Sequence, residues 1–291
     1  MAVWVAVWAW VATGDNDCLR QKSFLLSVPE MTKQGTRLSC VFAVFIAVIA
    51  ALFLSPHPSS AGILMDAGFK GVYEDNITGS SADLGKEGDY YTAASASIGG
   101  YRNIGRGVFA FMRINAEGYL YGRYSELDAA IAGVSGGFYK VFSPVVSASA
   151  IVLIKREQYK GEGRSSTAYG GILNLRQQVH PRIWIKESYE FERNAAASDI
   201  FSYEGHLPGI TASYTIAPKT TALLGYSYLY RSYNEPAGFR DIFNTLSLGM
   251  TREILKKVYL NGSYDRQYIS TNLPGTSHVN NVFSLGVSYS Y

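Results

Sequence analysis

The sequence predicts an all-β chain that forms a closed antiparallel transmembrane β-barrel of about twelve strands. Two observations lead to this prediction: apolar residues recur at every second position along most segments, and short turns alternate with longer polar loops. The mean hydropathy of +0.01 is too low for a bundle of transmembrane helices, whereas tyrosine, present 22 times, suits a membrane–water interface. The formal charge of +3 gives no reason to expect a nucleic-acid partner.

The N-terminal part of the chain is predicted to be removed before the barrel forms. An apolar run over 40–54 follows basic residues and precedes a segment of small residues that ends at Ala61. This order is typical of a secretory signal peptide, which we place at 31–61, with a membrane anchor as the alternative. Because Met31 stands just before the basic residues, we interpret 1–30 as a mis-called upstream extension, or else as part of an unusually long leader.

The predicted mature chain, 62–291, is a single β-barrel domain without cysteine, because Cys18 and Cys40 both precede it. A disulfide, a thiol nucleophile and a cysteine metal site are therefore excluded from it. The sequence also lacks a phosphate-binding loop, a dinucleotide fingerprint and zinc-ligand spacing. We predict no cofactor, no metal and no enzymatic activity.

Twelve strand-like segments follow one another along the mature chain. An even number of strands places both chain ends on the same side of the membrane, predicted to be the periplasmic side, together with all of the short turns. The longer Gly-, Ser-, Asn- and Asp-containing loops then lie on the outer side. The predicted strands are 63–77, 89–102, 107–124, 127–141, 145–159, 166–179, 183–193, 203–216, 220–233, 240–255, 258–270 and 279–291.

Most of these strands have one apolar face and one polar face. In 107–123 the even positions are mainly aliphatic, as suits a lipid-facing surface, and the odd positions include Arg113 and Glu117, as suits a wet interior. Two places depart from the pattern. Glu187 lies among the apolar residues of its strand, and the segment 127–141 is rich in Ala and Gly on both faces, which leaves its register weakly specified.

The charged residues of the polar faces are the candidate functional residues. In one interpretation they pair across strands and fill the interior; in the other they line a polar pore and bias which solute passes. By parity the predicted lumen-lining set is Asp66, Lys70, Glu74, Arg113, Glu117, Arg123, Lys155, Glu157, Arg176, Lys186, Glu190, Glu192, Arg231, Glu253 and Asp265.

The last strand carries a resemblance to a known class of proteins. Apolar residues alternate with small polar ones, and the chain ends on an aromatic residue; the apolar positions are Phe283, Leu285, Val287, Tyr289 and Tyr291. This pattern resembles the closing strand of Gram-negative outer-membrane β-barrels. The resemblance implies export to the outer membrane, contact with outer-membrane lipid and lipopolysaccharide, and recognition of the last strand as an assembly signal by the barrel-assembly machinery.

Three functions are carried forward from the sequence. The first is a narrow, porin-like channel for small hydrophilic solutes. The second is a closed structural or partner-binding barrel of a secretion or export system, which would bind a periplasmic or surface protein; the strand–Pro turn–strand unit at 214–226 resembles units in barrel domains of surface-lipoprotein assembly modifiers. The third is a hydrolase at the outer rim, for which the only candidate pair is His206 with Ser202 or Ser213.

Overall fold

The computed structural model describes residues 61–81, 85–273 and 276–291, and these form one closed barrel. The predicted upstream extension, 1–30, lies outside the described residues. So does the predicted signal peptide, 31–61, except for Ala61, which begins the first strand. None of the helices in the described residues is long and apolar enough to cross a bilayer.

Twelve antiparallel strands make up the barrel, as predicted, and each pairs with its neighbours in sequence. Closure comes from the pairing of the first strand with the last, in which Tyr73 lies opposite Phe283 and Phe69 opposite Val287. The strands are β1 (Ala61–Glu74), β2 (Asp89–Gly105), β3 (Val108–Tyr121), β4 (Ala129–Ser143), β5 (Val146–Tyr159), β6 (Ser166–His180), β7 (Ile183–Ala196), β8 (Tyr203–Ala217), β9 (Thr220–Tyr233), β10 (Arg240–Leu255), β11 (Val258–Thr271) and β12 (His278–Ser290).

The two ends of the barrel differ in their connections. At one end, which we call the turn end, five two-residue turns join the strands, and three of them hold a non-glycine residue at positive φ: Arg106, Lys219 and Lys257. The six longer connections lie at the other end, which we call the loop end. Two of them contain single turns of 3-10 helix, Ser125–Leu127 and Asp199–Phe201. This asymmetry confirms the predicted alternation of turns and loops.

The first strand differs from its prediction, which was 63–77, because it ends three residues earlier, at Glu74. The reason is the side chain of Asn76, which makes a local turn. Its amide donates to the carbonyl oxygen of Ser80 (2.9 Å), and its oxygen accepts the N–H of Ser80 (3.0 Å). Asn and Asp side chains that bond nearby backbone in this way compete with strand pairing.

Side chains on the two faces of the sheet are exposed to very different degrees. On the face that we call the outer face, large apolar residues are half to two-thirds exposed, for example Ile63 (61%), Leu120 (66%) and Leu285 (63%). The opposite face, which we call the inner face, carries buried polar residues such as Asp265 and Asn280. An apolar outer face on a closed barrel is what the hydrocarbon region of a bilayer requires, because no backbone group is left unpaired in lipid.

The weakly specified segment 127–141 became a regular strand, β4, paired along its length with β3 and β5. The two-residue turn to β5 fixes its register from the turn end, since a hairpin of this length leaves little freedom for slippage. Its Gly and Ala residues therefore face both sides without disturbing the ladder.

Candidate functional site

The inner face of the barrel holds the candidate site. Every charged residue of the predicted lumen-lining set that lies in a strand belongs to this face, while Arg123 lies in the loop after β3. Whether these residues line a conducting pathway stays a prediction. The strand residues, from β1 to β11, are Asp66, Lys70, Glu74, Arg113, Glu117, Lys155, Glu157, Arg176, Lys186, Glu190, Glu192, Arg231, Glu253 and Asp265.

Near the turn end, one ion pair spans two strands that are not neighbours. The guanidinium of Arg113 on β3 lies 2.9 Å from Asp66 on β1, on the far side of β2. Asp66 also accepts hydrogen bonds from the hydroxyls of Ser97 (3.2 Å) and Ser290 (2.7 Å). The carboxylate of Asp66 therefore has three partners, one each on β2, β3 and β12, and they hold it in place. This cluster forms the inner wall near the turn end.

Two more cations lie on the inner face near the turn end. Arg176 stacks over the ring of Trp184, with its guanidinium carbon 4.7 Å from the ring centroid. Lys186 has Glu190 as its electrostatic neighbour along the same strand. Since a cation over a tryptophan face retains free N–H donors, Arg176 still presents charge to water.

A compact network occupies the wall formed by β5, β6 and β7. Lys155 lies 2.9 Å from Glu157 and 2.8 Å from Glu192, so one ammonium group bridges two carboxylates. The remaining carboxylate oxygens accept hydrogen bonds from Tyr203 (2.7 Å, to Glu192) and Ser166 (3.1 Å, to Glu157). Because all members are buried and mutually bonded, this network matches the structural interpretation of the interior charges.

The charged residues on the inner faces of β1, β3 and β11 form fewer ion pairs. Lys70 has Glu117, Asp265 and Glu74 as its electrostatic neighbours, yet the structure shows no ion pair for it within the described residues. Asp265 is 7% exposed, and its Oδ1 atom has no hydrogen-bond partner among the described residues. A buried carboxylate oxygen without a partner has lost its solvation, so it favours a cation or a donor that enters the lumen.

At the loop end, aromatic side chains narrow the inner space. Arg231 lies between Tyr203 and Phe243, at 4.5 Å and 5.5 Å from the two ring centroids, and directly opposite Asp241 in the β9–β10 register. Sequence reasoning missed the aromatic partners of Arg231, although their inner-face parity was a usable signal. A second aromatic cluster, of Tyr91, Tyr119 and Tyr121, lies on β2 and β3.

Asp89 is another residue that sequence reasoning missed. It is buried at the start of β2, and its carboxylate accepts the backbone N–H groups of Tyr90 (2.8 Å), Arg123 (3.0 Å) and Tyr124 (3.2 Å). It therefore anchors the loop between β3 and β4 to the rim. Nothing in its local sequence announces this contact, because its partners lie 34 and 35 residues away.

Small residues are frequent in the middle of the inner face from β8 to β12. Ser263 and Ser284 share a hydrogen bond of 2.8 Å, and Asn261 bonds Ser288 at 2.9 Å. Most of these residues are partly exposed. We call this surface the small-residue wall; it comprises Gly209, Thr211, Gly225, Ser227, Ser247, Gly249, Ser263, Ser284, Gly286 and Ser288.

The candidate rim-hydrolase pair is not assembled. His206 belongs to the outer face of β8, where its Nδ1 atom is 2.7 Å from the hydroxyl of Tyr189 and its ring lies among other aromatic rings. Ser213 is buried on the inner face, and the hydroxyl of Ser202 accepts the N–H of Ala196. His206 and Ser213 lie on opposite faces of β8, so the structure does not bring this pair together.

Among the described residues, no group of His, Cys, Asp and Glu side chains could hold a metal ion. The predicted assembly-signal residues all belong to the outer face of the barrel, with exposures between 37% and 63%: Phe283, Leu285, Val287, Tyr289 and Tyr291. Their role as a signal stays a prediction.

Comparison with known proteins supports the fold. No protein-family model matches the sequence, and no curated protein matches it. Among solved structures, it is similar to an outer-membrane channel from Pseudomonas putida F1, with a TM-score of 0.60, 10% identity, 81% of this chain and 97% of that chain covered. The KdgM porin (TM-score 0.47, 12% identity, 78% and 99% covered) and the outer-membrane channel DcaP of Acinetobacter baumannii (0.44, 10%, 81% and 99%) are also similar. At 10% identity, the similarity to the Pseudomonas putida channel establishes the fold alone, a closed antiparallel β-barrel.

Proposed function

We propose that this protein is a narrow channel for small hydrophilic solutes in the outer membrane. The observation that carries the proposal is the small-residue wall, which runs along five adjacent strands and keeps its side chains short, polar and partly exposed. Twelve strands enclose more space than barrels of about eight, whose side chains fill the interior, and less than porins of about sixteen. A solute then passes along this wall, beside the charged groups of the opposite wall.

The order of charges along the barrel supports a preference for cations. Toward the loop end, the carboxylates of the inner face outnumber the cations; the carboxylates are Glu74, Asp89, Glu117, Glu157, Glu190, Glu192, Asp241 and Asp265, and the cations are Lys70, Lys155 and Arg231. Toward the turn end, Arg113, Arg176 and Lys186 accompany Asp66 and Glu253. A low-dielectric tube focuses this field, which raises the local concentration of positively charged solutes at the loop-end mouth.

A catalytic role is not part of the proposal, because His206 bonds Tyr189, Ser213 lies on the opposite face of the sheet, and the hydroxyl of Ser202 accepts the N–H of Ala196. The proposal includes two consequences of an outer-membrane location. The outer face contacts lipid and lipopolysaccharide, and the barrel-assembly machinery recognises β12. The partner-binding barrel is the competing function, and it predicts a sealed interior.

Conductance of the refolded protein in a planar bilayer tests the proposal. We expect discrete current steps, and we expect Ser247→Trp to lower the step size by about half or more, because the indole enters the lumen from the small-residue wall. Leu248→Trp is the matched control, since Leu248 is the next residue and is half-exposed on the outer face. An absence of steps in the unmodified protein would favour the sealed, partner-binding barrel. Equal effects of the two variants would place the pathway elsewhere.

A further inference from the structure

Among the charged residues on the outer face, one on β7 and one on β10 lie between apolar neighbours and have no partner that the structure describes. Glu187 on β7 is exposed between Ile185 and Tyr189, and Arg252 on β10 is exposed between Met250 and Ile254. Within the described part of the chain, neither has a hydrogen bond or an ion pair. Other charged residues on the outer face have partners: Arg156 bonds the hydroxyl of Thr167 (3.0 Å), Arg266 bonds that of Tyr268 (2.6 Å), and Arg193 pairs with Glu204 at 3.4 Å.

Both residues lie at a similar height above the turn end. Glu187 is four residues from Ile183, where β7 begins, and Arg252 is three residues from Leu255, where β10 ends. With a rise of about 3.3 Å per residue and a tilt of about 45°, these positions are roughly 9 Å and 7 Å above the turn end. The apolar band of such barrels is about 25 Å tall, so the carboxylate in particular cannot reach water easily.

Glu187 is one of the residues that line a shallow depression of about 550 Å³. Ala148 and Ala150 also line it, and their small side chains leave the sheet uncovered. Lys140 lines it as well, but its ammonium group bonds the carbonyl oxygen of Arg106. Leu173, Leu175 and Tyr189 border the depression. Around Arg252 the large apolar side chains of Met250 (52% exposed) and Leu255 (66% exposed) are accessible from outside the barrel. The two surfaces therefore carry opposite charges, each set among apolar side chains.

We propose that this protein self-associates within the membrane, through a contact in which Glu187 of one copy pairs with Arg252 of a second copy. An unpaired carboxylate in lipid is unfavourable, and an ion pair removed from water relieves it. The strands β7 and β10 are three apart in a barrel of twelve, so the two surfaces are about a quarter of the circumference apart. In a head-to-tail contact of this kind, each copy is rotated relative to the one before it by about a quarter of a turn, so successive copies close into a ring.

The mass of the protein–detergent complex, measured by light scattering, tests the proposal with the full folded barrel. We expect an oligomer for the unmodified protein and monomers for Glu187→Gln and for Arg252→Met. These neutral changes make the outer face more compatible with lipid, so loss of association would not reflect loss of folding. Arg193→Gln is the matched control, because it removes an outer-face charge at the rim, and it should leave the mass unchanged.

Charge reversal gives the decisive comparison. Glu187→Arg and Arg252→Glu should each be monomeric, while the double variant with both changes should recover the oligomer, since the pair is restored with its charges exchanged. Recovery would establish the contact. A monomeric unmodified protein, or an oligomer that persists in both single reversals, would overturn it. Conductance of the monomeric variants separates this proposal from the channel proposal, because each barrel has its own lumen.

Discussion

Arg113 and Asp66 form an ion pair at 2.9 Å between β3 and β1, with β2 passing between them on the sheet. The pair bridges the first three strands on the inner face, close to the turn end. It neutralises a carboxylate that two serine hydroxyls also bind. Removing the cation therefore changes the local charge without removing the carboxylate.

From this geometry we predict that Arg113→Gln makes the channel more selective for cations. Asp66 would then present its charge to the lumen, and the excess of positive charge on the inner face near the turn end would be lost, which favours cations. The reversal potential in a salt gradient measures the effect. Arg156→Gln is the control, because Arg156 is exposed on the outer face of β5. An unchanged reversal potential would mean that Asp66 and Arg113 do not border the pathway.

The Lys155 network gives a prediction about stability. Lys155→Met leaves Glu157 and Glu192 buried without their shared cation, and losing one partner of a buried charge group costs about 3–5 kcal/mol. We expect the urea midpoint of the refolded barrel to fall accordingly. Adding Glu192→Gln to Lys155→Met removes one of the two carboxylates that have lost their cation, so the double variant should recover part of the lost stability. The effects of the two changes on the free energy of unfolding are then not additive. Additive effects would show that the 2.8 Å contact contributes little.

These two groups show what sequence reasoning supplies and what it leaves out. Period-two alternation placed Arg113, Asp66, Lys155 and Glu192 on the inner face, because neighbouring side chains in a strand point to opposite sides. Their pairing was beyond prediction. Lys155 meets Glu192 across β6, and that contact depends on the register of three strands together, which the turns decide. Alternation along a strand predicts which face of the sheet a residue occupies. It does not predict the position of that residue along the barrel axis relative to residues on other strands.

Glu187 and Asp89 illustrate the two remaining gaps. The sequence pattern identified Glu187 as a charged residue among apolar ones, and the structure places it on the outer face. The molecule therefore does carry a carboxylate on its apolar surface, and a partner there would stabilise it. Asp89 gave no signal, since its three backbone partners become neighbours only when β2 and the loop after β3 meet at the rim. Contacts of this kind follow from closure of the barrel.

Asp89→Ala should loosen the loop between β3 and β4. The carboxylate satisfies N–H groups at Arg123 and Tyr124 that would otherwise lack these bonds, and leaving such groups unpaired costs about 1–3 kcal/mol. We expect faster cleavage of the loop after Arg123 by trypsin, with the strands left intact. Asp75→Ala, in the preceding loop, is the comparison variant, because its carboxylate bonds Asn281 instead. Equal cleavage rates in the unmodified protein and Asp89→Ala would show that the loop is held by other contacts.

The last residue of the chain closes the barrel and is the subject of the final prediction. The N–H of Tyr291 donates to the carbonyl of Met65 (2.7 Å), its own carbonyl accepts the N–H of Met65 (3.3 Å), and the Lys257 ammonium lies 3.2 Å from its ring centroid. Deleting Tyr291 removes two bonds of the closing pair of strands together with an exposed terminal ring. We therefore expect less barrel in the outer membrane and more unfolded chain.

Two variants separate closure from recognition by the assembly machinery. Tyr291→Phe keeps the backbone bonds and the ring, so it should assemble normally. Tyr291→Gly keeps the backbone bonds and loses the ring; a defect in cells, together with normal refolding into detergent, would assign the ring to recognition. A defect in both settings would assign Tyr291 to closure through its stacking with Lys257, since a cation against an aromatic face stabilises the turn end directly. Normal assembly of the truncated chain in cells would contradict both roles.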